Sequence, residues 1–451
     1  MNNTYRTWLA KIIILIIGFS LLFCSSAFAY GIKNAETESV LQYALDQASS
    51  DYERAIILEG FKRRFPTIES DLALYLSSEE LSKFENLTAG LCGTPFNLEL
   101  YRIISSFSDS WLMNEVRSQL SSKPAHLTKK KENDDFEVWY TDNSTAHPSD
   151  AVTAAYAEKV LDYMAKSKAT EIDTWGYKQG GTEEATTPGT QAAKYQVYIH
   201  DLGVSIGATT DFVKNPSGSE TLPRTWTAIG IAPSVTPDDL LLDTCAHEYH
   251  HASQLAYMDV FMDIIDTTAE YELWILEATT TWISYQVRQQ YAAVSGTGSW
   301  NLFKNRVEWH QDRPNTPLDQ TGSTVRDDYD AGLYIWFLAN NKVISGADKG
   351  LILKFWQKMG QENDWAKIFE SFDHALSGLS DKYDTFDEIF PYYCGANYGV
   401  AEWYPKLIKT VKIENKTSPH TLDYSTSDSH ILTEQTVKVN HLASKYYRFV
   451  P

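Results

Sequence analysis

His247-Glu248-Tyr249-His250-His251 places two imidazoles four residues apart with a carboxylate between them. On a helix, positions four apart lie one above the other, so His247 and His251 can offer two nitrogens to one metal ion while Glu248 sits beside the same opening. This pattern points to hydrolysis at a single zinc ion, with Glu248 expected as the proton acceptor and not as a ligand. A catalytic zinc takes three protein ligands and leaves a fourth position open, so the chain must supply one more. Glu277 is the expected third ligand. It lies in Leu273-Trp274-Ile275-Leu276-Glu277-Ala278-Thr279-Thr280-Thr281-Trp282-Ile283, where large apolar residues surround a lone carboxylate. A charge buried there needs a partner, and a metal is one of few that would offset its desolvation. Glu270 and Glu272 are rivals, but Thr267-x-x-Glu270 already spells a capping box and Glu272 is less embedded.

These side chains need rigid elements to hold them. Thr236-Pro237-Asp238-Asp239 reads as a helix start, with Thr236 as cap, Pro237 in the first helical position and acids in the first turn, so a helix is expected from about Pro237 to about Tyr257. Trp226–Ala232 reads as a strand leading into that helix, placed to hold an extended peptide beside the metal. Two neighbours of the motif read as packing residues. His250 is expected to be hydrogen-bonded in the interior, and Cys245 points about 200° away from His247 at about 100° per residue, which makes it a small buried side chain.

A second motif suggests a different chemistry. Gly203-Val204-Ser205-Ile206-Gly207 matches the serine-hydrolase elbow and follows the strand Tyr195–His200. The elbow must open a helix, whereas Ala208-Thr209-Thr210-Asp211 and Asn215-Pro216-Ser217-Gly218 carry turn and loop signals. Ser205 is therefore the lesser alternative nucleophile, and the match reads as a glycine-bearing turn.

His247, Glu248, His251 and the downstream Glu277-Ala278 together resemble the gluzincin metallopeptidases, the thermolysin-like clan, in which a glutamate on the next helix completes the zinc site. Leu91-Cys92-Gly93-Thr94-Pro95, Leu276–Trp282 and Tyr329-Asp330-Ala331-Gly332-Leu333-Tyr334 with Trp336-Phe337-Leu338 are also similar to segments of a family of secreted myxobacterial-type metallopeptidases. These landmarks span roughly residues 91–449 in order. The resemblance implies an α+β chain: a zincin-like catalytic domain with a mixed sheet, a metal-bearing helix and a helical lower lobe, preceded by a helical segment and followed by a small all-β domain. It implies zinc held by His247, His251 and Glu277, Glu248 as base, and Tyr329 at the position of the oxyanion donor, with Tyr334 and His310 as alternatives. Thermolysin-like enzymes often place Asp four residues after the glutamate ligand to hold a metal histidine. This chain has Thr281 there. The functional expectation is a secreted zinc endopeptidase acting on proteins or peptides; an inactive binding or adhesion module on the same fold is the non-enzymatic alternative.

Composition narrows the partners. The chain of 451 residues has 39 Lys+Arg against 59 Asp+Glu, a net charge of −20. Such acidity disfavours nucleic acid and anionic membranes. Arg6, Lys11, the apolar run Ile12–Phe23 and Ala27-Phe28-Ala29 read as an export signal over residues 1–29, too short for a membrane span, so a secreted or periplasmic protein without integral membrane association is expected. Beyond it lie Cys92, Cys245 and Cys394, an odd set in which either Cys92 pairs with Cys394 or no disulfide forms. The chain divides into four stretches: the signal at 1–29, a helical segment at 30–125 that is either a removable propeptide or a permanent wall, the catalytic domain at 126–395 and a β-domain at 396–451. The charged run Lys129–Asp135 reads as an exposed link between the second and third.

Overall fold

The structure, a computed structural model, describes residues 40–64, 76–77, 80–81, 84, 92–107, 123–181, 194–203, 205–214, 218–219, 222–233, 235–259, 273–291, 331–340, 349–379, 384–399, 420–423 and 447–450. Thr225–Ile231 has no charged residue and Phe136–Tyr140 alternates in its burial, patterns suited to a strand covered on both faces and to one covered on a single face. Both enter one five-stranded mixed sheet. Its strands β1 (Lys129–Glu132), β2 (Phe136–Tyr140), β3 (Tyr195–Ile199), β4 (Gly207–Lys214) and β5 (Thr225–Ile231) run in the order β1-β2-β3-β5-β4. The inner pairs β2/β3 and β3/β5 are parallel; β1 and β4 are antiparallel edges.

Three strand expectations change. Lys129–Asp135 is not a link but edge strand β1 and its turn, where Asn133 Oδ1 accepts from the amides of Asp135 and Phe136. Its charge run is what a solvated edge requires: Lys130 pairs with Glu132 and Glu137, and Lys129 with Asp142. Ala208–Asp211, which carries turn-type residues, lies within β4; pairing to β5 overrides weak local preference, with a register shift between Thr210 and Val213. β5 is flanked on both sides, so the edge strand beside it is β4, whose Gly207 bridges in parallel to Cys92.

The helices are α1 (Asp51–Arg64), α2 (Thr94–Ser105), α3 (Ala154–Lys168), α4 (Asp238–Tyr257), α5 (Leu273–Tyr291), α6 (Gly332–Asn340), α7 (Lys349–Glu362), α8 (Ile368–Leu376) and α9 (Phe386–Gly399). Helix α4 is shared between two cores. Leu241, Cys245, Tyr249 and Ala252 face the sheet and α3, so Cys245 lies on the side that helical geometry gives it. Leu242, Ala246, Leu255 and Met258 face the lobe built from α5 to α9, in which Trp274, Trp282 and Trp356 are fully buried. Thr236 does not cap α4: Pro237 is the cap residue, its carbonyl accepts from the Leu240 and Leu241 amides, and the acids Asp238 and Asp239 fill the first turn. Helices α1 and α2 share a separate core of Ile56, Phe61, Phe96, Leu100 and Ile103, while Leu98 and Tyr101 on α2 pack into the helical lobe.

The described chain is therefore mixed α+β, as expected. Helix α9 continues through Gly399, past the expected boundary at residue 395, and of the region beyond it β6 (His420–Asp423) and β7 (Tyr447–Val450) pair in parallel. Residues 1–29 lie outside the described residues. No described helix is long and apolar enough to cross a membrane.

A π-turn, Ala169–Thr174, extends α3 and carries Glu171 beneath α4, its Oε2 3.0 Å from His250 Nδ1 with both side chains wholly buried. Burial pushes Glu171 well above the carboxylate range and His250 well below the imidazole range, so the pair is neutral and hydrogen-bonded. His250 is the packing histidine expected. Glu171→Gln keeps a neutral donor for Nδ1 and is expected to cost under about 1 kcal/mol, whereas Glu171→Leu leaves a buried nitrogen unmet at about 1–3 kcal/mol. Urea midpoints compare the two; equal midpoints would show that Glu171 supplies no polar partner.

Candidate metal centre

Helix spacing puts His247 and His251 on one stripe of α4, and α5 crosses that stripe with Glu277. His247 Nε2 lies 3.1 Å from Glu277 Oε2, His251 Nε2 lies 3.2 Å from Glu277 Oε1, and the two Nε2 atoms are 3.2 Å apart. A fourth donor completes the group: Cys92 Sγ is 3.5 Å from His251 Nε2, and all four donor atoms lie within 4.8 Å of one another. A tetrahedral zinc with nitrogen and oxygen at about 2.0–2.1 Å and sulfur at about 2.3 Å separates its ligands by about 3.3 Å, or about 3.6 Å to the sulfur. The donor set and its spacing thus fit zinc.

The centre is deep but reachable. The Glu277 and His251 side chains are 1% exposed, while His247 is 12% exposed. Burial works against the Glu277 charge, yet His251 and His247 outweigh it and hold the carboxyl far below its ordinary range. Burial likewise opposes a charged His251, but Glu277 outweighs it and the imidazole is raised. Burial, then Glu248 and Glu277, push the Cys92 thiol well up, so without a cation it stays protonated.

The ligands are held by neighbours. Gln254 Nε2 donates to Leu276 O at 3.0 Å and to Thr279 Oγ1 at 2.6 Å, which turns its Oε1 toward His251 Nδ1 at 2.8 Å. An amide oxygen can only accept, so His251 carries its proton on Nδ1 and presents the Nε2 lone pair to the centre. Gln254 therefore does for His251 what an Asp at position 281 would have been asked to do. Thr281 instead packs against α6, where a Cβ on Gly332 would meet its Cγ2 at 3.1 Å. Asp243, one turn before His247, is buried with Arg288 Nε 3.9 Å away.

Glu248 is buried beside the donor group but is not one of its members. Its Oε2 accepts from Thr94 Oγ1 at 3.0 Å and lies 3.2 Å from Thr209 Oγ1. Strand β4 comes close because Gly207 has no side chain: a Cβ there would fall 2.7 Å from Glu248 Cγ and 2.8 Å from Oε1.

His247, His251 and Glu277 thus come together and Glu248 lies next to them. Tyr329, His310, Glu270 and Glu272 lie outside the described residues. Tyr334, on α6, fills an aromatic cluster of the helical lobe with Phe337, Phe372, Phe386, Phe390 and Tyr393. Cys92 is a thiol and not half of a disulfide with Cys394, because its Sγ points at the histidines. Ser205 is buried in the turn after β3, and that turn leads into strand β4 and not into a helix. Sequence reasoning missed Cys92, Thr94 and Gln254. Only Gln254 had a local signal, three residues after His251 on the same helix face.

A second group, His126, His147 and Asp150, is half-exposed. Its Asp150 is already engaged by His126 Nε2 at 3.0 Å and by the Asp201 amide at 2.6 Å, so it ties the segment before α3 to the end of β3. Protein-family models, curated proteins and solved structures give no match to this chain.

Replacing Gln254 with Leu removes the acceptor that fixes the His251 tautomer. Zinc affinity is expected to fall by about 10–100-fold with the fold intact. Competition against a chromophoric chelator measures it; unchanged affinity would sink this role for Gln254.

Proposed function

We propose that this chain is a zinc-dependent peptidase of gluzincin type, with a zincin-like arrangement of sheet and metal helix, exported by its leader and acting on proteins or peptides. The observation that carries the reading is the meeting of His247, His251 and Glu277 at zinc-ligand distances with Glu248 adjacent and outside the donor set. A zinc ion held by these three side chains would supply Lewis acidity to a water and to a substrate carbonyl beside it. Glu248, adjacent to the donor set, would take a proton from water at its carboxylate and return it to the leaving amine. Gln254 keeps the Nε2 lone pair of His251 available, and the apolar packing around Glu277 excludes bulk water from the ligands. The antiparallel edge β4 runs past Glu248 and offers main-chain groups to an extended peptide.

One observation favours a second reading. Four protein donors including a cysteine match a closed structural zinc site, which would make the chain a binding module and not an enzyme. The assay therefore uses the zinc-loaded Cys92→Ala chain, in which three ligands remain and the fourth corner is open. Casein hydrolysis abolished by a chelator and unaffected by a fluorophosphonate is expected; the opposite sensitivities would move the reading to Ser205. In the same background Glu248→Gln is expected to keep zinc and lose activity by about 10²–10⁴-fold. Glu277→Ala is expected to lose the metal itself. Full zinc retention by Glu277→Ala, measured by metal analysis, would show that another carboxylate is the third ligand.

A further inference from the structure

Residues 92–97 touch each part of this centre that catalysis would need. Cys92, 4% exposed as a residue, brings its Sγ to 3.5 Å from His251 Nε2 and within 4.8 Å of the other donor atoms. Two residues on, the Thr94 hydroxyl donates to Glu248 Oε2 at 3.0 Å. The same segment covers the edge of β4: Gly93 N donates to Gly207 O at 2.7 Å, Thr209 N donates to Thr94 Oγ1 at 2.8 Å, and Asn97 Nδ2 donates to Thr209 O at 2.9 Å. Ligand position, proton acceptor and peptide-binding edge are thus occupied by one short stretch. Helix α2 begins at Thr94 and turns the chain away, so little of the segment is extended beside the metal position.

We propose that residues 92–97 are a built-in inhibitor of the centre, with the Cys92 thiolate as fourth metal ligand and Thr94 masking Glu248, so that the chain as folded here is a latent hydrolase. The proposal rests on the hydrolytic reading above. On ligation the Cys92 S–H proton passes to solvent and the sulfur lone pair forms the metal bond; on release sulfur regains a proton and the vacated corner opens to solvent. Activation is the withdrawal of this segment. Packing alone would require neither a thiol at the metal corner nor a hydroxyl on the one carboxylate that must accept a proton. The segment is borne by α1 and α2, whose shared core is separate from that of the sheet, and α2 meets the helical lobe through Leu98 and Tyr101.

The test loads the full chain with cobalt in place of zinc and records its absorption and its peptidase activity. A thiolate-to-cobalt charge-transfer band is expected in the near ultraviolet, absent from Cys92→Ala, together with at least about a tenfold gain of casein hydrolysis in the zinc-loaded variant. Iodoacetamide labelling of the unmutated chain gives a second readout that needs no variant: zinc is expected to slow modification of Cys92 relative to the chelated protein, with buried Cys245 as internal reference. A full chain without the sulfur band, or equal labelling with and without zinc, would overturn the ligand assignment. Hydrolysis by the unmutated chain at the rate of Cys92→Ala would sink the inhibitor and leave the hydrolytic reading standing. A sulfur band lost in Cys92→Ala with hydrolysis by neither chain would sink both, leaving a closed structural centre.

Discussion

A carboxylate taken out of water costs several kcal/mol unless a positive group meets it, and Glu277 is buried within a helix otherwise lined by Trp274, Ile275, Leu276 and Ala278. Much of the site's architecture results from meeting that charge. Helices α4 and α5 must cross where His247 and His251 reach both carboxylate oxygens, which fixes the register of the two helices. Gln254 in turn bridges α4 to the Leu276 carbonyl and the Thr279 hydroxyl of α5, on the turns around Glu277. The same polar cluster that could hold a cation therefore also locks the packing of the lobe onto α4.

This dependence explains why parts of the centre are legible in the sequence. The His247-Glu248-His251 spacing encodes one helix face, and helical geometry is local. Glu277 can be read because a lone charge in an apolar run violates the ordinary pattern of burial. Gln254 is hidden by its ordinariness as a polar helix residue. Cys92 and Thr94 stand in a segment that marks a resemblance but assigns them no role, since their partners lie more than 150 residues away in sequence. An odd cysteine invites a disulfide when its counterpart is a pair of imidazoles.

The sheet shows the same limit from another side. β5 advertises itself as a strand by an uncharged run, but position within a sheet is a property of neighbours. β4 looks like a loop because Gly207, Ala208 and Asp211 are disfavoured in strands, and it becomes a strand by pairing with β5. Small side chains are needed there for a separate reason. Anything larger than glycine at 207 would collide with Glu248, so closeness to that carboxylate and weak strand propensity come from the same residue choice. Lys129–Glu132 misleads in the opposite sense: its charge suggests a link, although a solvated edge strand carries charge too.

The unequal sequence separations of the four donors also order the folding of the centre. His247, His251 and Glu277 lie on two adjacent helices within a separation of 30 positions, whereas Cys92 must return across 159 positions to reach His251. Loop-closure entropy favours the nearer encounter, so the three-donor site assembles as α4 and α5 pack, and the thiol docks onto a centre already formed. The donor that precedes the other three in the chain is then the last to find its place. For that interval the nascent chain carries an uncovered β4 edge and an uncapped centre, and the speed with which α1 and α2 settle determines how long that exposure lasts.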